Sequence, residues 1–217
     1  MTNKVKVAVI GYGHLGRWHS QKAAQLDTCE LVAIVESFPA NQEKAKQAHP
    51  DTKIVNDINE VMGEIEAAVI VTPTSTHYEL VKLLLENEKH VFCEKPPGMN
   101  LPEVLAMKEA MEKSGCKLMF GFNLRHHQSI IKAKDVVDSG RYGNILWMRG
   151  RYGKSVPEDF FEDWRSQKKL AGGGIFLDQG IHMLDLFMHL VGKFDDVKSF
   201  VSNLYWKGDV EDNVFAL

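Results

Sequence analysis

Val5-Lys6-Val7-Ala8-Val9-Ile10-Gly11-Tyr12-Gly13-His14-Leu15-Gly16 decides the fold. The stretch opens on a near-continuous apolar run, the signature of a strand buried on both faces of a parallel sheet. It turns at Gly11-x-Gly13-x-x-Gly16, and residues 14–26 then follow helical spacing. In a strand–turn–helix setting this spacing reads as a dinucleotide-binding loop. Gly11 permits the tight turn, Gly13 lets a diphosphate approach the backbone, and Gly16 lets the helix pack close to the strand. The helix N-terminus offers unpaired N–H groups and the positive end of its dipole to phosphates.

Working outward, strand and helix signals alternate. Residues 31–35, 53–55, 67–71, 90–93 and 117–121 read as further strands, and 39–48, 75–87 and 101–114 as helices. Six strands with intervening helices predict a doubly wound parallel sheet, an α/β dinucleotide-binding domain over residues 1–121. Glu36 ends the second strand, twenty residues after Gly16, where a carboxylate would hold the ribose hydroxyls of NAD. Its neighbours Ser37 and Phe38 offer no cation to a 2′-phosphate, so NAD is expected over NADP, with NADP possible.

After Gly121 the pattern changes. A helix over 129–138, strand-like segments at 145–152, 197–206 and 212–217, and a long amphipathic helix over 175–191 predict an α+β domain. It is expected to span 122–217 around a mainly antiparallel sheet. The chain stops inside an apolar run, Val214-Phe215-Ala216-Leu217, which reads as mid-strand. The second domain is therefore expected to be partial, or its surface to be hidden in an oligomer.

Composition narrows the function classes. With 217 residues, 44% hydrophobic and 25% charged, and a formal net charge of −3, the chain is ordinary globular protein. It has no basic stripe of the kind nucleic-acid binders carry. No apolar run approaches the length of a membrane span, and no secretory leader is evident. Cys29, Cys93 and Cys116 lack the spacing of a disulfide framework or a thiolate metal site. A soluble, cytoplasmic protein with reduced thiols is expected.

Two segments fall at predicted strand ends, where open α/β sheets bind ligands: Thr72-Pro73-Thr74-Ser75-Thr76-His77 and Glu94-Lys95-Pro96. Taken singly, each is better read as local structure, the Thr-Pro-Thr-Ser stretch as a helix start and Glu-Lys-Pro as a surface loop. Further on, Asp178 and His182 are four apart within Gly172-Gly173-Gly174-Ile175-Phe176-Leu177-Asp178-Gln179-Gly180-Ile181-His182. On one helix they would share a face, the carboxylate orienting the imidazole as expected of a base and its partner. The glycine run would let substrate or another backbone approach. Asp178, His182, Asp185 and His189 also fall on one helical face, where two histidines and a carboxylate could bind zinc. The last two fit better as boundary residues beside an apolar stripe, and no metal is expected.

These elements in this order resemble the glucose-fructose oxidoreductase / inositol dehydrogenase (Gfo/Idh/MocA) family across nearly the whole chain. The resemblance implies hydride transfer between NAD(P) and a secondary alcohol of a sugar, polyol or nucleotide sugar. It implies Lys95 and His182 at the reacting hydroxyl with Asp178 beside them. His182 is expected as proton acceptor and Lys95 as electrostatic partner, with those roles exchangeable. It assigns Gly11, Tyr12, Gly13, His14, Leu15, Gly16, Glu36, Thr72, Pro73, His77, Glu94 and Lys95 to the cofactor. Asn123, Arg125, Arg165, Asp178 and His182 are assigned to the substrate, Arg165 as a cation for a sugar diphosphate. The wording near Asn203-Leu204-Tyr205-Trp206 is similar to members acting on nucleotide sugars. A homo-oligomer through the second-domain sheet is expected, with no nucleic acid or membrane partner. The family also resembles a regulatory protein that binds NAD(P) without turnover, the alternative function.

Overall fold

The computed structural model describes residues 4–155, 163–206 and 208–217. The chain divides into two compact units, Met1–Gly121 and Phe122–Leu217.

In the first unit, β1 (Val5–Ile10), β2 (Cys29–Val35), β3 (Lys53–Val55), β4 (Ala67–Ile70), β5 (His90–Cys93) and β6 (Leu118–Phe120) form one parallel sheet. Its order is β3-β2-β1-β4-β5-β6, the doubly wound arrangement whose connections reverse between β1 and β4. The strands are apolar at successive positions because helices cover both faces. Ala8, Val9, Ala33 and Ile34 are fully buried. The helices are α1 (His14–Gln25), α2 (Pro39–Ala48), α3 (His77–Glu86) and α4 (Leu101–Ser114).

Their ends follow local chemistry. Pro39 opens α2, where its missing N–H costs nothing. The Asn100 side chain caps α4 by accepting the Glu103 N–H at 3.0 Å, and Gly115 closes it at φ +68°. The main core gathers Ile70, Val81, Leu84, Leu85, Cys93 and Met107 between the sheet and α3 and α4. Full burial of each large side chain contributes about 1.5–3 kcal/mol, which holds the strand ends rigid enough to carry a site.

The second unit contains α5 (Gln128–Asp138), α6 (Lys168–Ala171), α7 (Ile181–Val191) and an antiparallel pair, β7 (Ser199–Ser202) with β8 (Asn213–Ala216). In that pair Phe200 faces Phe215 and Val201 faces Val214. Asp212 shapes the loop between them, accepting the backbone N–H groups of Leu204, Tyr205 and Trp206.

Two expectations are corrected here. Residues 145–152 form no strand, and among the described residues no strand pairs with them; Leu146 and Trp147 stand exposed, and Gly150 lies against Met183 and Phe187 of α7. The helix expected over 175–191 is not uniform. Phe176–Gly180 is a π turn, and α7 begins only at Ile181. Among the described residues no helix is long and apolar enough to cross a membrane.

Candidate functional site

The glycine loop has the form its spacing requires. Gly11 adopts φ +96°, a conformation that side chains resist, and its N–H bonds Val35 O at 2.8 Å. A Cβ at Gly16 would lie 2.0 Å from Gly11 O, so α1 packs against the loop only because that atom is missing. Gly13 is different: a Cβ there would meet nothing within 4 Å. Space is open in front of it, and as the residue that precedes α1 it offers the helix no capping side chain. Uncapped N–H groups facing open space suit a diphosphate. His14 and Leu15 form the first turn. Tyr12 contributes only backbone, since its ring is buried with Ile34 and Ala45, edge-on to His49. Burial pushes its phenol pKa up, with nearby Arg17 pulling the other way.

Glu36 ends β2 and is buried. Its carboxylate accepts the Tyr12 N–H at 2.8 Å, the Phe38 N–H at 2.8 Å and the Asn41 side-chain amide at 3.3 Å. A carboxylate has about four acceptor positions, so capacity remains for a ribose hydroxyl.

The two further strand ends of the same sheet are tied together by His77, the first residue of α3. Its Nδ1 lies 2.9 Å from Pro96 O and its Nε2 3.0 Å from Thr72 O. Burial holds this imidazole below its ordinary pKa, against the pull of both carbonyls and of Glu94. Thr72 and Thr76 pair their hydroxyls at 2.6 Å, and Pro73 O accepts from Thr76. Glu94 lies between His19 Nε2, at 2.9 Å, and the Lys95 N–H, at 3.2 Å. Lys95 itself is half-buried, and Lys95-Pro96 is a cis peptide. Cys93 beside them is a buried thiol whose pKa burial, then Glu94, pushes well up. All three cysteines are free.

His19 was missed in the sequence. Its only signal is its place in α1, three residues beyond Gly16 on the sheet side, and that becomes meaningful once Glu94 is beside it. In the first unit, then, the glycine loop, Glu36, Thr72, Pro73, His77, Glu94 and Lys95 gather at the carboxyl ends of β1, β2, β4 and β5.

In the second unit, His182 is buried in the first turn of α7, with its ring stacked on Tyr152 at 6.4 Å and edge-on to Phe122 at 6.2 Å. Asp178 lies in the π turn, accepting from Gln179 Nε2 at 2.8 Å and from Lys154 Nζ at 3.5 Å. Arg125 donates to both oxygens of buried Asp185, from Nε at 2.8 Å and from Nη2. That hydrogen bond holds the guanidinium pKa above its usual value, against burial.

Asp185 is thus not a boundary residue, because α7 turns its charged side inward to meet Arg125. Its carboxylate is already satisfied, and among the described residues no cluster of three metal-type ligands exists. Arg165 is engaged locally, by the Asp163 carboxylate at 3.1 Å and by the Trp164 ring. Asn123 is exposed in the turn before α5.

The glycine run admits a backbone, not open space: a Cβ at Gly174 would lie 1.9 Å from Glu211 O. The Glu211 carboxylate then caps the π turn through Gly174 N–H at 2.8 Å and Phe176 N–H at 3.2 Å. This unit also holds a cavity of about 890 Å³ lined by Trp147, Met183, Leu184, Phe187 and Leu204 among others. Its mostly apolar lining is a poor match for a polyol.

Residues 5–122 match the oxidoreductase family with an NAD-binding Rossmann fold (GFO_IDH_MocA), and residues 130–217 match the GFO/IDH/MocA C-terminal domain. The chain belongs to this family. It is 30% identical over 223 residues to the myo-inositol 2-dehydrogenase of Thermotoga maritima, covering 98% of this chain and 64% of that one. It is 30% identical to the scyllo-inositol 2-dehydrogenase (NAD+) of Bacillus subtilis, covering 88% of this chain and 55% of that one. The crystal structure of an NAD-binding protein from Listeria innocua superposes with a TM-score of 0.81 at 29% identity, over 99% of this chain and 63% of that one. The chain thus spans less than two thirds of the relatives it matches.

Proposed function

We propose that this chain carries the dinucleotide site and the reacting residues of an NAD-dependent dehydrogenase. Its substrate is a secondary alcohol of a sugar, polyol or nucleotide sugar. One observation carries the reading: an uncapped, glycine-opened helix, a buried acid at the end of β2 and a lysine at the end of β5 share one edge of one sheet. That edge is where doubly wound sheets take dinucleotides. Family membership and two inositol dehydrogenase relatives support it.

In this reading the N–H groups at Gly13 and the first turn of α1 hold the diphosphate, and Glu36 accepts from the adenosine ribose. A carboxylate at this place repels a 2′-phosphate, and its chain neighbours Ser37 and Phe38 supply no cation to offset that, which favours NAD over NADP. Bound NAD supplies the hydride acceptor. The chain's own residues handle the proton: as the alcohol carbon gives up hydride, its hydroxyl proton passes to the His182 imidazole. The Lys95 ammonium hydrogen-bonds the oxygen and stabilises the developing alkoxide. Asp178 orients the base. The products are a ketone, NADH and one proton.

We further assign cofactor binding to residues 1–121, and substrate binding and self-association to 122–217. The β7–β8 sheet is the oligomer contact, and the cytoplasm is the site of action.

The test is NADH formation at 340 nm by the purified full chain across a panel of inositols, free hexoses and nucleotide sugars. Turnover with one class identifies the substrate. Tight NAD binding with no turnover on any of them overturns the dehydrogenase reading in favour of a binding protein.

A further inference from the structure

We propose that His19 is a positioning residue for Lys95, acting through the Glu94 carboxylate. The inference rests on the reading of Lys95 given above, but its geometry lies wholly within the first unit. One oxygen of Glu94 faces His19 Nε2 at 2.9 Å; the other accepts the Lys95 backbone N–H at 3.2 Å. An ionised carboxylate only accepts, so the imidazole donates from Nε2. Both side chains are about 15% exposed, so water competes little for this bond.

Both partners lie against close neighbours. A Cβ at Gly121 would lie 2.7 Å from Glu94 Oε2, so the carboxylate occupies a notch that only glycine leaves open. The His19 ring is held edge-on to Trp18 at 5.0 Å and tilted against Phe92 at 5.4 Å. On the far side of Lys95, the Pro96 carbonyl lies 2.9 Å from His77 Nδ1. The residues on either side of Lys95 are thus gripped by histidines from two helices, α1 and α3.

A brace is needed at this place. Lys95 lies past the end of β5, beyond the last ladder bond, and its side chain is long and flexible. A preorganised donor loses much of its effect if its backbone wanders, and a misplacement of about 1 Å can cost about 100-fold in rate. His19 also stands one turn beyond Gly16 on the helix whose N-terminus faces the diphosphate. The same rigid element therefore sets both the phosphate end of the cofactor site and the lysine.

The competing role is simple packing, with the ring filling space between Trp18 and Phe92. His19→Gln separates the two, because its amide N–H reaches nearly the position of Nε2 while the ring is lost. His19→Leu keeps apolar bulk and loses the donor. Should that variant not fold, His19→Asn, whose amide stops short of Glu94, takes its place. Each full-length protein is measured for NAD affinity, for kcat and KM, and for acetylation of the Lys95 amine by a succinimidyl acetate, followed by peptide mass spectrometry.

The expected result is that His19→Leu loses tenfold or more in kcat, with NAD affinity and KM within twofold of the parent. Its Lys95 acetylates several-fold faster, and His19→Gln recovers most of both. Equal damage in the Leu and Gln variants, or a Leu variant indistinguishable from the parent, overturns the proposal. If the parent itself turns over no sugar, the reaction assignment fails. The acetylation rates then decide the brace by themselves: faster in Leu and restored in Gln supports it, unchanged in Leu or equally fast in both rejects it.

Discussion

The Glu36 carboxylate accepts the Tyr12 backbone N–H at 2.8 Å, so the acid at the end of β2 also ties down the glycine loop that follows β1. Ribose recognition and loop shape therefore depend on one side chain. Glu36→Ala should weaken NAD at least tenfold and NADP less, measured by titration of nicotinamide fluorescence. It should also cost about 1–3 kcal/mol of stability, since the Tyr12 and Phe38 N–H groups lose their partner. A parent that already prefers NADP would refute the cofactor assignment.

Lys95→Ala and His182→Ala should each cut turnover by ~10²–10⁴-fold while NAD affinity stays near that of the parent, because neither carries the diphosphate or the ribose. Full activity in the double variant would remove both residues from the mechanism.

Arg125 and Asp185 should behave as a coupled pair. The carboxylate side is 7% exposed, so a lone Asp185 would be a buried charge, whereas Arg125 is 43% exposed and easily hydrated. Arg125→Ala is expected to cost about 2 kcal/mol in thermal or urea unfolding. Adding Asp185→Asn to that variant should cost less than Asp185→Asn alone in the parent. Strict additivity would show that the pair contributes nothing beyond its separate side chains.

Asp212 predicts a pH dependence. Burial alone would raise its pKa, but N–H donation from Leu204, Trp206 and Tyr205 outweighs it and holds the carboxyl below its ordinary value. A depressed carboxylate contributes stability above its unfolded pKa of about 3.9, and loses it as pH falls through the folded value. Asp212→Asn should therefore lower the melting temperature at pH 7. The gap to the parent should narrow steadily below about pH 4, the window in which the parent's own carboxylate becomes protonated. A gap independent of pH would mean that the charge is irrelevant to the loop.

The first half of this protein could be read from its residues because its signals are local. A buried strand, a glycine turn and a helix start each occupy a few consecutive positions. Counting along them places Glu36 at the end of β2 and Lys95 just past β5. Gly16 was likewise legible, since G-x-G-x-x-G states in one line that a helix must touch a loop. What the residues could not show were contacts between distant positions. His19 meets Glu94 across 75 residues and Arg125 meets Asp185 across 60, and no periodicity links such pairs.

The same limit explains the two corrections in the second unit. Residues 145–152 have the composition of a strand, yet a strand exists only with a partner to share its N–H and C=O groups. The run before His182 has the spacing of a helix, yet Glu211 crosses at Gly174 and caps the chain there, and the first turns open into a π turn. Local pattern determined which segments could be strand, loop or helix. Tertiary structure decided which polar groups would satisfy one another, because a buried donor or acceptor must be paired by whatever the fold brings beside it.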